Sequence, residues 1–261
     1  MTQTLDHAAM KPLFILGCVR SGTTLVRDLL RRVPHMICPE ETHYFRYGEP
    51  FRTNAFNRPF LKSATLLKHR EIDGISPEDF ERMLGTARTR GELLCLHVEH
   101  MARQKGWDSY QWFDKTPQNV YGLPMIRAEF PKARFLHLVR NPLNVVASLK
   151  LGKVMKVPDI DAACNYWLEA VQIVRQMAPV LGPDLLEVNY EDFAADPVSG
   201  MAQLLTFSGF GDHPDLFSSA DAHVERNQYL SVLSRKEQTR VVERCAESAA
   251  AYGYHMHDMI S

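Results

Sequence analysis

No stretch of this 261-residue chain approaches the roughly 18 consecutive apolar residues that a bilayer-spanning helix needs. The amino terminus, MTQTLDHAAMKP, also lacks the basic start and apolar run of a secretory leader. A soluble, cytoplasmic chain is therefore expected. Charge of either sign is not in excess: 30 basic residues stand against 31 acidic ones, for a net charge of -1. Without a global positive field, nucleic acid and anionic membrane are poor partners, and any anion must be held by a local constellation. Cysteine is sparse and scattered, at Cys18, Cys38, Cys95, Cys164 and Cys245, with no C-x-x-C pair. An odd set of this kind argues against a disulfide framework or a structural zinc site and reads as buried, reduced thiols. No H-E-x-x-H or other metal spacing joins the histidines, so no metal is expected. Internal repeats, low-complexity tracts and long linkers are missing as well, which makes a single domain over 1–261 the default.

Three short apolar runs are present and read as buried strands: residues 12–17 (PLFILG), 133–139 (ARFLHLV) and 185–190. The first leads into a helix from about Thr24, with Leu25, Leu29, Leu30 and Val33 near helical spacing and Pro34 as its stop. The second runs through Arg140-Asn141-Pro142 into a helix near Leu143, and the third precedes a helix capped by Asp196 with Pro197 in its first position. Ser76-Pro77-Glu78-Asp79 opens another helix, Ser234 and Glu237 form a capping box for the last, and residues 160–181 carry Trp167, Val171, Val174 and Met177 on one stripe. Strands separated by helices imply parallel pairing with helices on both faces, a three-layer α/β/α fold with a central, mainly parallel sheet. Residues from about 46 to 110 break the alternation and read as a helical insertion over the sheet's carboxyl edge, where ligands of such sheets bind. An insertion there is placed to select an acceptor as a lid.

Between the first strand and first helix, Gly17-Cys18-Val19-Arg20-Ser21-Gly22-Thr23-Thr24 keeps the G-x-x-x-x-G spacing of a phosphate-binding loop. Its glycines permit positive φ and close backbone approach, and the helix start adds its dipole to the converging N–H groups. Arg20, Ser21, Thr23 and Thr24 add a cation and three hydroxyls. Thr23 stands where a nucleoside-triphosphate loop carries lysine, and no acidic strand end resembles a magnesium-holding partner, so ATP or GTP hydrolysis is disfavoured.

From VRSGTT (19–24) through the E-E-T segment of 25–45, the sequence resembles sulfotransferases that use 3′-phosphoadenosine 5′-phosphosulfate, in the branch that includes tyrosylprotein sulfotransferases and bacterial relatives. The resemblance implies a P-loop-like fold and a loop that holds the 5′-phosphosulfate of the donor through Arg20, Ser21, Gly22, Thr23 and Thr24. FLHLVRNPLNVVASL (135–149) is similar to the family's 3′-phosphate motif, which implies that Arg140 and Ser148 grip that group. Asn141 stands where the family often has aspartate, and Val19 where it usually has proline. VNYEDF (188–193) resembles the family's third strand and implies that Tyr190 contacts the nucleotide; residues 234–254 resemble the family's terminal helix, and the likeness fades over about 46–105.

Sulfuryl transfer needs an acceptor hydroxyl, a base for its proton and cations for the charge on the leaving phosphate. By resemblance the base is Glu41 and the cations are Arg20 and Lys115 of Asp114-Lys115-Thr116-Pro117. Residue chemistry alone leaves Glu40 and His43 as alternatives to Glu41, and it leaves Lys115 as a solvated turn lysine. His97 and His100 fall in a helix, and His137 reads as a hydrogen-bonded core residue. A phosphate-loop kinase for a small molecule and a nucleotide sensor without turnover remain competing readings. Tyrosyl, carbohydrate and small-molecule hydroxyls are all open as acceptors, and nothing in the sequence speaks to oligomeric state.

Overall fold

The computed structural model describes residues 7–152 and 155–260. In chain order the elements are β1 (Leu13–Leu16), α1 (Thr23–Leu30), β2 (Met36–Ile37), α2 (Asn54–Lys62), α3 (Ala64–Ile72), α4 (Pro77–Thr86), α5 (Arg90–Gln104) and β3 (Gln111–Lys115). They continue as α6 (Leu123–Glu129), β4 (Arg134–Val139), α7 (Pro142–Leu151), α8 (Ile160–Leu181), β5 (Leu185–Asn189), α9 (Tyr190–Ala195), α10 (Pro197–Ser208), α11 (Tyr229–Val232) and α12 (Arg235–Ala250), with short 3-10 turns between. Among the described residues no helix is long and apolar enough to cross a membrane.

Among the described residues five strands, not three, form the sheet, in the order β2-β3-β1-β4-β5 with every pairing parallel. The alternation of side chains along β1 makes the layers. Leu13 and Ile15 join Val26, Leu29 and Leu30 of α1 and Met201, Leu204 and Leu205 of α10 on one face. Phe14 and Leu16 join Trp167 of α8, Val145 of α7 and Val241 of α12 on the other, together with Phe56, Phe60 and Phe80 from the α2–α4 region. The helices between β2 and β3 thus share the core rather than lying loosely over it. The expected caps hold: Ser76 accepts from the Asp79 amide, Asp196 from that of Ser199, and Ser234 pairs reciprocally with Glu237. All five cysteines are free and buried.

Topology fixes where a ligand sits. From central β1 the chain crosses to the edge strand β2 and returns to β3 beside β1, and from β4, on the other side of β1, it moves the opposite way to β5. The carboxyl ends of β1 and β4 are therefore neighbours at the switch point, where the crossovers diverge and leave a crevice. The register Leu16↔His137 and Ile15↔Lys115 brings the 17–24 loop, the end of β3 and Arg140 to one edge.

Candidate active site

At that edge lies a cleft of about 700 Å³. Arg20, Gly22, Thr23 and Thr24 line one part of it, Arg140 and Ser148 another, and Glu41, His43, Arg46 and the start of α3 a third. The loop geometry comes from its glycines. Gly17 has φ +151 and packs so closely on Leu138 that a Cβ would lie 2.6 Å from its carbonyl oxygen, while Gly22 at φ +87 is the N-cap of α1. Gly22 supplies no side-chain cap, so the first turn of α1 opens into the cleft with its N–H groups uncommitted to a capping side chain. A Cβ on Gly22 would come 2.2 Å from the Tyr190 ring. Gly22→Ala is thus expected to lower the unfolding free energy by about 1–3 kcal/mol, read by chemical denaturation; an unchanged midpoint would show that the ring gives way freely.

Arg20 itself adopts φ +74, and its Nε donates to Ser148 Oγ at 2.9 Å while its carbonyl accepts from Arg140 Nη1 at 3.0 Å. The two anion motifs, more than a hundred residues apart in sequence, are therefore wired to each other. Arg140 lies over the Tyr190 ring, 4.6 Å from its centroid, and gives two hydrogen bonds, at 2.9 and 2.6 Å, to one oxygen of Glu225. Tyr190 opens α9 rather than ending β5, and lines a second cavity of about 470 Å³ together with Arg140, Glu225 and Arg226. Asn141 caps α7 by accepting from the Leu143 amide, a role that aspartate would fill equally. Ser21 behaves differently from its neighbours: its N–H donates to Cys18 O, and its hydroxyl is buried, without a hydrogen-bond partner among the described residues, and outside the cleft wall.

The acid and base candidates separate clearly. Glu40 is claimed by Arg31 at 2.9 Å and Arg27 at 3.3 Å. Burial pushes its pKa up, but the bond from Arg31 and the charges of Arg31 and Arg27 outweigh it, leaving Glu40 below the usual carboxylate range. Glu41 points into the cleft, with Oε1 2.5 Å from the ammonium of Lys115 and Oε2 3.6 Å from His43 Nε2. Lys115 is not a solvated turn residue: it ends β3, is 2% exposed, and reaches the cleft only through Glu41. Burial lowers the pKa of His43 to about 4, against a partial rise from Glu41, so its imidazole is neutral and weakly basic. Protons therefore go first to the unfolded chain as pH falls below 6.5, and the stability held by neutral His43 is lost as pH drops toward 4. Between pH 7 and 4 the wild type is expected to lose on the order of 2–4 kcal/mol more stability than His43→Gln; equal losses in pH-resolved denaturation would contradict this.

Several residues around the site carried no signal in the sequence pattern. Asp73, at the end of α3, accepts the Glu40 amide on both carboxylate oxygens and binds His97 Nε2 at 2.9 Å, and His97 in turn meets the Tyr44 hydroxyl at 2.7 Å. His69 Nδ1 meets the Glu41 carbonyl at 3.0 Å. This buried chain moors the 40–44 segment to the helical region between β2 and β3. His137 is a core residue as expected, its Nδ1 2.8 Å from Glu187. Cys18 in the loop is buried, which pushes its thiol pKa up, so the helix start does not activate it. No cluster of three metal-binding side chains occurs among the described residues.

Residues 12–214 match the model of the sulfotransferase family. This chain is a member of the sulfotransferase family. Among curated relatives it is 26% identical over 203 residues to a protein-tyrosine sulfotransferase of Drosophila melanogaster, covering 76% of this chain and 38% of that one. It is 24% identical over 159 residues to the omega-hydroxy-beta-dihydromenaquinone-9 sulfotransferase Stf3 of Mycobacterium tuberculosis, covering 55% and 41%. The chain thus spans about two fifths of the length of either protein. Of solved structures, the sulfotransferase domain of the Synechococcus PCC 7002 olefin synthase superposes with a TM-score of 0.64 at 21% identity, over 84% of this chain and 79% of that one, which establishes the shared α/β fold.

Proposed function

We propose that this sulfotransferase moves a sulfuryl group from 3′-phosphoadenosine 5′-phosphosulfate to an acceptor hydroxyl, with Glu41 as general base and without a metal. The observation that carries the reading is the placement of the Glu41 carboxylate in one cleft with the open start of α1 and with Arg140. Two anion seats at the switch point suit a nucleotide that bears phosphate at both ends. In this reading the backbone and hydroxyls of Gly22, Thr23 and Thr24, with Arg20, hold the 5′-phosphosulfate; Ser21 contributes through the loop rather than through its buried hydroxyl. Arg140 and Ser148 hold the 3′-phosphate, and Tyr190 flanks Arg140.

The reaction is an in-line displacement. The acceptor oxygen bonds to sulfur as the bond from sulfur to the bridging phosphate oxygen breaks, the acceptor proton passes to Glu41, and the 3′,5′-bisphosphate leaves. Positive charge from Arg20 on the cleft wall, and from Lys115 lying behind Glu41, offsets the charge that grows on that phosphate. Glu41 is preferred over Glu40, which is committed to two arginines, and over His43, whose burial makes it a poor base. Thr23 offers no ammonium for a terminal phosphate, which disfavours the kinase alternative.

The acceptor enters from the side walled by Tyr47, Ser63, Thr65 and Leu66, where the helical region acts as the acceptor lid. Tyrosyl, carbohydrate and small-molecule hydroxyls all fit this chemistry. The test is incubation with sulfur-labelled donor and a panel of a tyrosyl peptide, sugars and phenols. Label is expected on one acceptor class; no transfer together with no binding of the bisphosphate nucleotide would sink the reading.

A further inference from the structure

We infer that Asp114 is a positioning residue that sets the Glu41–Lys115 pair. The inference rests on the reading of Glu41 as base and adds a component the motif resemblance did not assign. Asp114 sits on β3 directly before Lys115, 1% exposed. Its Oδ2 accepts from Thr42 Oγ1 at 2.8 Å and its Oδ1 from Asn119 Nδ2 at 2.9 Å. Thr116 closes the arrangement: its Oγ1 accepts the Thr42 amide at 2.9 Å.

One buried carboxylate therefore ties together the two neighbours of the reacting pair. Thr42 follows Glu41 and Lys115 follows Asp114, so fixing Thr42 against β3 fixes the span across which Lys115 Nζ and Glu41 Oε1 meet at 2.5 Å. A strand end alone would not hold this register, because the 40–43 loop has no ladder partner here and its attachment is by side chains. Taking a carboxylate out of water is costly, and burial drives the Asp114 pKa up to about 6 despite its donors. Such a group is kept where hydrogen bonds to its charged form do a job that an apolar residue could not. Release of the loop would leave Glu41 free to move by about an ångström, and misplacement on that scale is enough to cost up to about two orders of magnitude in rate.

The experiment compares Asp114→Asn and Thr42→Val with the wild type, each also in a Glu41→Gln background. Transfer is measured with labelled donor and whichever panel acceptor gains most label, bisphosphate binding by calorimetry, and exchange of the Thr42 amide by hydrogen–deuterium methods. Both variants are expected to lose about tenfold or more in kcat, with donor KM and bisphosphate affinity within about twofold, and with faster Thr42 exchange. In the Glu41→Gln background neither is expected to cost anything further, since a residue acting through Glu41 has nothing left to position. An equal loss in both backgrounds, or a loss with Thr42 exchange unchanged, would overturn the inference. Full activity of Glu41→Gln itself would instead remove the base reading and Asp114's role with it. Thr42→Val deletes one hydroxyl and leaves the buried carboxylate in place, so it answers the question even if Asp114→Asn fails to fold.

Discussion

Glu41→Gln is expected to slow sulfuryl transfer by about two to four orders of magnitude while leaving affinity for the bisphosphate nucleotide within about twofold. The amide keeps the size of the carboxylate and can still accept a hydrogen bond from Lys115, but it cannot take the acceptor's proton. Glutamine is a better probe than alanine for a physical reason. Lys115 is buried, its acid partner among the described residues is Glu41, and truncating that partner would strand an ammonium in the interior and confuse lost chemistry with lost stability. Rates follow from labelled transfer and binding from calorimetry on the same preparation. His43→Gln serves as the companion: with an imidazole already held neutral by burial, it should cost far less than Glu41→Gln. The reverse order of effects would move the base from Glu41 to His43.

Where local chemistry decides an element, the sequence announces it. The 17–24 loop, the Arg140-Asn141-Pro142 turn and the caps at Ser76, Asp196 and Ser234 depend on residues adjacent in the chain, and each reads directly. β2 and β3 did not read as strands. Met36–Ile37 is only two residues long, and Gln111–Lys115 (QWFDK) ends in two charged residues that no alternating pattern would bury. They become strands because β1 offers a parallel partner in the register Leu13↔Phe113, a contact a hundred residues away. The site divides in the same way. Arg20, Glu41, Lys115, Arg140 and Ser148 sit in motifs, whereas Asp73, His97 and His69, which hold the Glu41 segment, lie outside them, and even Asp114, inside a motif, owes its contacts with Thr42 and Asn119 to tertiary neighbours. Glu40 and Glu41 show the limit most sharply: two adjacent glutamates are chemically alike in sequence, and only the approach of Arg27 of α1 and Arg31 just past its end commits one of them to structure.

Arg140→Ala is expected to weaken binding of the bisphosphate nucleotide by about 30- to 100-fold, and Glu225→Gln to tighten it by several-fold. The two predictions have opposite signs because the guanidinium that faces the cleft already holds an internal anion. Nε and Nη2 of Arg140 both donate to Glu225 Oε2, while Nη1 is tied to the Arg20 carbonyl. A 3′-phosphate that uses the fork has to displace that carboxylate, so its net gain is the difference between two charge-assisted pairs rather than the full strength of one. The segment itself can move with little repacking, since neighbouring Val224 is 89% exposed, but the Arg140 and Glu225 side chains are only 16% and 14% exposed, so water screens the pair weakly and the competition from Glu225 is felt in full. Glutamine removes the charge and retains the shape, which isolates competition from packing. Calorimetry at fixed ionic strength measures both variants. Unchanged affinity in Arg140→Ala would place the 3′-phosphate elsewhere, whereas loss in Arg140→Ala without gain in Glu225→Gln would mean that Glu225 shapes the fork for the phosphate instead of competing with it.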